Sequence, residues 1–185
     1  MTVIISMLRG INLAKNKRIR MDALRACYES LKLRDPLTYV QSGNVIFATK
    51  EPDLTRLAKR IEKGIEQTFG FHSDVILRTT GELKDVIARN PFAERKGIEP
   101  AKLVVTFLAT DPKPEARGAV LKIKADPEEL RLLGRELYTY FPNGMGRSKL
   151  PWPSVEKLFQ TSVTSRNWNT VVKMLAMAEE VEAVL

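Results

Sequence analysis

The stretch LTYVQSGNVIFA, residues 37–48, decides the fold. Its two runs, LTYVQ (37–41) and NVIFA (44–48), are rich in β-branched and aromatic side chains and flank Ser42-Gly43, a turn signal. The segment therefore reads as a hairpin or a sharply bulged strand pair. Upstream, TVIISMLRG (2–10) is a short apolar run of the kind a buried strand presents. After a basic loop, Met21, Leu24, Cys27, Tyr28 and Leu31 recur at helical spacing, with Asp22 in the first turn. Downstream, Leu54, Leu57, Ala58, Ile61 and Ile65 make a second helical stripe, and Gly70 stands where a helix C-cap favours glycine. DVILRT (74–79) closes the series as a fourth strand, so the order is βαββαβ.

The second half repeats this grammar. KLVVTFLAT (102–110) reads as a strand, and Ala116, Ala119, Val120 and Ile123 as a helical stripe. ELRLL (129–133) and ELYTYF (136–141) form a hairpin around Gly134-Arg135. Pro151 and Pro153 introduce a short helix carrying Val155, Leu158 and Phe159. SVTS (162–165) is a short last strand, and Val171, Val172, Leu175 and Ala178 mark a final helix. Between the halves lie a helix with Leu83, Val86 and Ile87 and the stretch NPFAERKGIEPAK (90–102), whose prolines and glycine suit a linker. The expected architecture is α+β: two tandem ferredoxin-like (βαββαβ) subdomains at 1–79 and 102–185, with an extra connecting helix and linker at 80–101 and a C-terminal helix. No residue-level repeat links the halves; element order alone argues for duplication.

Composition narrows the chemistry. Of 185 residues, 44% are hydrophobic, enough for a real core. The single cysteine, Cys27, excludes an internal disulfide and any multi-cysteine metal centre. The single histidine, His72, excludes two- and three-histidine metal sites and leaves only one residue through which a Ser-His-Asp arrangement could run. No metal and no cofactor are expected. No segment approaches the roughly 20 apolar residues of a membrane span, and TVIISML (2–8) lacks the basic lead of a secretory signal. The expected compartment is the cytoplasm. Thirty Lys and Arg against 22 Asp and Glu leave a formal charge of +8, which favours polyanionic partners. The excess is uneven: Arg9, Lys15, Lys17, Arg18 and Arg20 share one stretch with no acidic residue, whereas the C-terminal tail carries Glu179, Glu180 and Glu182.

Four polar loops are the candidate sites. In GMGRSK (144–149), Gly144 and Gly146 could let backbone N–H groups converge on an anion, with Arg147, Ser148 and Lys149 adding charge and a hydroxyl. The spacing matches neither the Walker loop nor the dinucleotide fingerprint, whose third glycine would fall on Lys149. A strand-to-helix turn explains the same glycines. In TSRNWNT (164–170), Thr164, Ser165, Asn167 and Asn169 are all good helix caps, and Arg166 with the spare amides could receive a carboxylate or phosphate. Trp168 reads as a core anchor. In LRGIN (8–12), Arg9 and Asn12 follow the first strand, where loops often carry ligands. Lys15, Lys17, Arg18 and Arg20 read as a solvated loop or as a nucleic-acid footprint. In QSGN (41–44), Gly43 and Asn44 suit a turn with positive φ. Tyr138 and Tyr140 share one sheet face, but GRELYTYF (134–141) lacks the opening of an RNA-recognition motif, and packing is the simpler account.

No catalytic constellation emerges. Ser42, Ser148 and Ser165 have no base nearby in sequence, and Cys27 sits on an apolar helical stripe, where a thiol is inert.

Several of these stretches together, MLRGINLAKNKRIRMDALR (7–25), YVQSGNVIF (39–47), NPF (90–92), GMGRSKL (144–150) and TSRNWNTV (164–171), resemble the bacterial proteins grouped as domain-of-unknown-function family 1697 (DUF1697). The resemblance spans nearly the whole chain and implies two ferredoxin-like subdomains. It implies no activity. Ala14-Lys15 stands where the family often has glycines, which makes the loop bulkier and less suited to close backbone approach by a ligand.

The expected function is a cytoplasmic binding module for an anionic ligand, either nucleic acid or a phosphorylated small molecule. Arg9 and Asn12 form one part, Gly144, Gly146, Arg147, Ser148 and Lys149 another, and Arg166, Asn167 and Asn169 complete it. The alternatives are an enzyme acting on a small phosphorylated metabolite and a structural or dimerisation protein, the chain being a monomer or a homodimer.

Overall fold

The computed structural model describes residues 1–13 and 15–185; the Ala14 contribution to the basic loop lies outside them. It contains two four-stranded antiparallel sheets and, among the described residues, six α-helices. Chain contacts divide it into two compact units, Met1–Lys84 with Lys173–Leu185, and Asp85–Val172.

The first unit is built on β1 (Thr2–Leu8), α1 (Met21–Ser30), β2 (Arg34–Tyr39), β3 (Asn44–Thr49), α2 (Leu54–Phe69) and β4 (Val75–Thr79), followed by α3 (Thr80–Ala88). Strand order is β2-β3-β1-β4. The apolar run of β1 pairs with β3 (Ile4 opposite Phe47) and with β4 (Ile4 opposite Thr79). Leu24, Cys27 and Tyr28 of α1 and Leu57, Ile61 and Ile65 of α2 pack with Ile4, Leu8, Val45, Phe47 and Leu77 in one core. Tyr28 lies edge-on to Phe47 at 5.4 Å between centroids, and its hydroxyl shares a 2.7 Å hydrogen bond with Ser6 Oγ, so the buried phenol is not left unpaired. The Asp53 carboxylate caps α2 by accepting from the Arg56 N–H, and Gly70 ends it in the left-handed conformation.

The hairpin turn requires its glycine twice over. Gly43 has φ +80°, and a Cβ there would stand 2.7 Å from Ile11 Cδ1 and 2.9 Å from Leu8 Cβ.

The second unit follows the same order with β5 (Leu103–Leu108), α4 (Pro114–Leu121), β6 (Glu129–Leu133), β7 (Glu136–Tyr140), α5 (Trp152–Phe159) and β8 (Val163–Asn167); α6 (Trp168–Glu182) follows, with its residues from Lys173 on counted in the first unit. Strand order is β6-β7-β5-β8. The duplication extends to single hydrogen bonds. Leu8 N–H donates to Gly43 O at 2.9 Å, as Leu108 N–H does to Arg135 O. Arg9 N–H donates to Asp74 O at 2.9 Å, as Ala109 N–H does to Ser162 O. On this correspondence Ile4 matches Val104, Phe47 matches Thr139 and Arg78 matches Arg166.

Two expectations change. The last helix starts at Trp168 rather than near Val171, because Asn167 ends β8 and its Oδ1 accepts the Asn169 N–H at 3.0 Å, a cap that opens the helix early. Residues 173–185, expected with the second half, group with the first unit, where Glu179 Oε1 meets Lys84 Nζ at 3.1 Å. Strands β1, β3, β5 and β7 are buried on both faces apart from Thr2. No helix among the described residues is long and apolar enough to cross a membrane.

Candidate functional site

In the first unit, three segments meet where β1 ends: the basic loop at residues 9–20, the hairpin turn at 40–43 and the segment 71–74. Asn12 is the latch. Its Nδ2 donates to Ile19 O at 3.0 Å and to Gln41 O at 2.7 Å, and its Oδ1 accepts the Ile19 N–H at 2.9 Å. The residue adopts φ +57°, a left-handed conformation asparagine tolerates. Ile11 and Ile19 are buried on either side and tie the loop to the core. The Lys17 ammonium donates to His72 O at 3.1 Å and lies 5.9 Å from the Phe71 ring centroid. On the other side, Ser73 Oγ donates to Arg9 O at 2.9 Å. The loop is thus fixed at both ends.

What it presents is charge. Lys15, Lys17 and Arg18 are exposed, and among the described residues neither Lys15 nor Arg18 meets an acidic partner. Arg20 differs: its guanidinium pairs with Asp22 at 2.7 Å and holds that carboxyl below its ordinary range, helped by the Ala23 N–H. That pair is open to solvent, so it offsets the Arg20 charge only in part. Val40 sits exposed at φ +52°, an outlier for a β-branched residue and a strain of about 1–3 kcal/mol. Leu13, next to Asn12, is 83% exposed. In QSGN the Ser42 and Asn44 side chains serve the turn itself, since Asn44 Nδ2 donates to Tyr39 O and to Ser42 Oγ, both at 3.0 Å.

His72 Nε2 shares a 2.9 Å hydrogen bond with Asp74 Oδ1. That bond, with the further carboxylates of Glu62 and Glu66, raises the imidazole above its ordinary range. Cys27 is buried, accepts a weak contact from Thr68 Oγ1 at 3.6 Å and has its thiol pushed up by burial, which makes it a poor nucleophile.

In the second unit, the register sets the other two candidate groups at one end of the sheet: Leu103 faces Tyr140, and Val104 faces Asn167. The glycine loop follows β7 there. Gly144 has φ +83°, and Met145–Arg147 form a 3-10 turn. The N–H groups of Gly144, Arg147 and Ser148 donate to Phe141 O, Gly144 O and Met145 O, and that of Leu150 donates to Ser148 Oγ. These donors are engaged in the turn. Arg147 and Lys149 remain exposed.

Arg166 is not a helix-end arginine. It lies in β8, 6% exposed, with Nη1 donating to Thr164 Oγ1 at 2.7 Å and Ser165 O at 2.9 Å, and burial lowers its pKa to about 10. Asn167 bridges Ala101 O and the Asn169 N–H. Arg9 and Asn12 belong to the first unit, at the sheet end equivalent to Ala109 rather than to Asn167.

Two features carry no weight in the sequence reading. Arg78, equivalent to Arg166, is 1% exposed and donates to Leu77 O at 2.9 Å; the charged residue interrupting VILRT was its only signal. A cleft of about 440 Å³ opens between α4 and α5, lined by Ala116, Ala119, Leu158 and Phe159 and by the polar Lys113, Glu115, Lys157 and Gln160. Its signal is the pair of small residues on α4. Among the described residues no group of three His, Cys, Asp or Glu side chains could hold a metal ion.

A profile of the family described as "Protein of unknown function (DUF1697)" matches residues 1–138. Among solved structures, the conserved bacterial protein SP0830 from Streptococcus pneumoniae is similar over 97% of this chain and 99% of its own, with a TM-score of 0.75 at 22% identity. That likeness is one of fold. No curated protein matches.

Proposed function

The chain belongs to the family of proteins of unknown function DUF1697, and from that premise, which brings no activity with it, we propose that it is a cytoplasmic module binding the phosphate backbone of nucleic acid through the basic end of its first unit. The observation that carries the reading is the latching by Asn12 and Lys17 of a loop on which Lys15, Lys17 and Arg18 are all exposed within four residues. Cations fixed together release phosphate counterions together, and little chain entropy is lost on binding. All three cations are exposed, which suits a polymer backbone better than a small metabolite. The strand order β2-β3-β1-β4, repeated as β6-β7-β5-β8, supports reading both halves as ferredoxin-like. The lone buried Cys27 fits a reducing compartment.

The test is fluorescence anisotropy with labelled single- and double-stranded oligonucleotides at about 50 mM and about 200 mM salt. Saturable binding that weakens with salt is expected, with dissociation constants in the non-specific range of about 10⁻⁴ to 10⁻⁶ M. The Lys15→Ala/Arg18→Ala pair should flatten the salt slope by about 0.9 per lost phosphate contact on duplex DNA. No binding at the lower salt would sink the reading.

The α4–α5 cleft supports a second reading, a small anionic ligand taken by Lys113 and Lys157, two cations against the one carboxylate, Glu115, that also lines it. A thermal-shift screen of phosphorylated metabolites should then find a stabiliser whose effect disappears in Lys157→Glu.

A further inference from the structure

The segment 71–74 is stitched to the basic loop from both sides. Arg9 N–H donates to Asp74 O at 2.9 Å, Ser73 Oγ donates to Arg9 O, and the Lys17 ammonium donates to the carbonyl of His72 itself. His72 therefore lies on the segment that anchors Lys17, and its side chain is 54% exposed to solvent.

Resting on the nucleic-acid reading above, we propose that His72 is a proton-coupled contact of this site: protonated, it joins Lys15, Lys17 and Arg18 in holding the phosphate chain; neutral, it drops out. The chemistry acts in two ways at once. An imidazolium adds a cation to the rim, and it also masks the Asp74 carboxylate, which would otherwise repel the phosphates. The charged groups bearing on the ring are Asp74 on its own segment and Glu62 and Glu66 on α2, while the Lys17 ammonium meets the backbone carbonyl of the same residue. The three carboxylates favour the charged ring and its partial desolvation opposes it; Asp74, at 2.9 Å and hydrogen-bonded, dominates. His72 is the chain's one histidine, so of the side chains only this one ordinarily titrates between about pH 5 and pH 8. A bound phosphate chain, being a further anion beside the ring, stabilises the proton and so couples binding to protonation.

The experiment is anisotropy with an oligothymidylate lacking a terminal phosphate, a probe whose own charge does not change between about pH 6 and about pH 8. Wild type is expected to bind more tightly at the lower pH, and the slope of log affinity against log salt should steepen by about 0.7, the value of one extra phosphate contact on a single strand. His72→Gln should show one slope at both pH values. Asp74→Asn should keep the steepening but move its midpoint to lower pH. An unchanged slope in wild type, or a change that survives in His72→Gln and so comes from elsewhere, such as the α-amino group, overturns this inference and leaves the nucleic-acid reading standing. Absence of binding at both pH values overturns the two together.

Discussion

The two units share a backbone frame and differ in how they fill it. Both order their strands alike and make the same hydrogen bonds where the first strand of each ends. Above that frame they diverge. The first unit covers its sheet with α2, 16 residues long; the second uses α5, 8 residues long. In the first, Leu31 fills the space over Gly64, so closely that an added Cβ would stand 2.9 Å from Leu31 Cδ1. In the second, small side chains on α4 leave the cleft. At the matched core position Phe47 packs edge-to-face with Tyr28, whereas Thr139 is fully buried with its hydroxyl unpartnered among the described residues. The difference teaches that main-chain pairing preserves the architecture while side chains redistribute between stability and open surface.

That contrast is sharpest at Phe47 and Thr139. Phe47→Ala removes a ring that packs on Tyr28 in the centre of the first core and should cost about 3–5 kcal/mol. Thr139→Val keeps the shape and removes a buried hydroxyl without a partner, so it should stabilise the protein by about 1–3 kcal/mol. Urea unfolding of both variants measures the pair. A destabilising Thr139→Val would mean that the hydroxyl is satisfied, and the two cores would then be more alike than their residues imply.

The sequence carried the frame well and the site less well, for a physical reason. Turn and strand chemistry is local: LTYVQSGNVIFA carries its own turn, and β2 and β3 flank it. Caps are local too, yet TSRNWNT holds four residues able to cap, and only the pairing of Val104 with Asn167 selects one. A clearer signature lay unread at Thr79 and Glu82, which cap α3 reciprocally: the Thr79 N–H donates to Glu82 Oε2 at 2.8 Å and the Glu82 N–H to Thr79 Oγ1 at 3.1 Å. The basic loop was legible as a cluster of charges. Its latch was not, because Asn12 and Gln41 are 29 residues apart, and neither was the pairing of Arg20 with Asp22. Side-chain hydrogen bonds at that separation are set by the fold and leave no local pattern to read.

The glycines of the two hairpin turns test the frame itself. Gly43→Ala meets both positive φ and two core side chains, for an expected loss of about 2–4 kcal/mol. Gly134, at φ +58°, would bring a Cβ no nearer than 3.4 Å to the mobile end of Arg89, so Gly134→Ala should cost about 1 kcal/mol, the left-handed strain alone. Equal losses in chemical denaturation would show that the turns are interchangeable and that the packing of Ile11 under Gly43 adds nothing. Because Ile11 adjoins Asn12, the larger loss should also loosen the basic rim, which weaker oligonucleotide binding by Gly43→Ala would register.

The smallest effect separates the units by pH. His72 lies in the first, and the second has no histidine. With Asp74 raising its folded-state pKa, the protonated form is favoured by folding. Its contribution to stability is therefore complete below the unfolded value of about 6.5 and disappears as pH rises through the higher folded value. Solvent screens this exposed pair, so the loss should be about a few tenths of a kcal/mol. Hydrogen exchange followed between about pH 6 and about pH 8, corrected for intrinsic exchange rates, should find the weakening in segment 71–74 and in the loop bonded to it, with the second unit unchanged. In His72→Gln the first unit should lose this dependence. A weakening spread equally over both units would instead identify a general charge effect and remove His72 from the account of how the two halves differ.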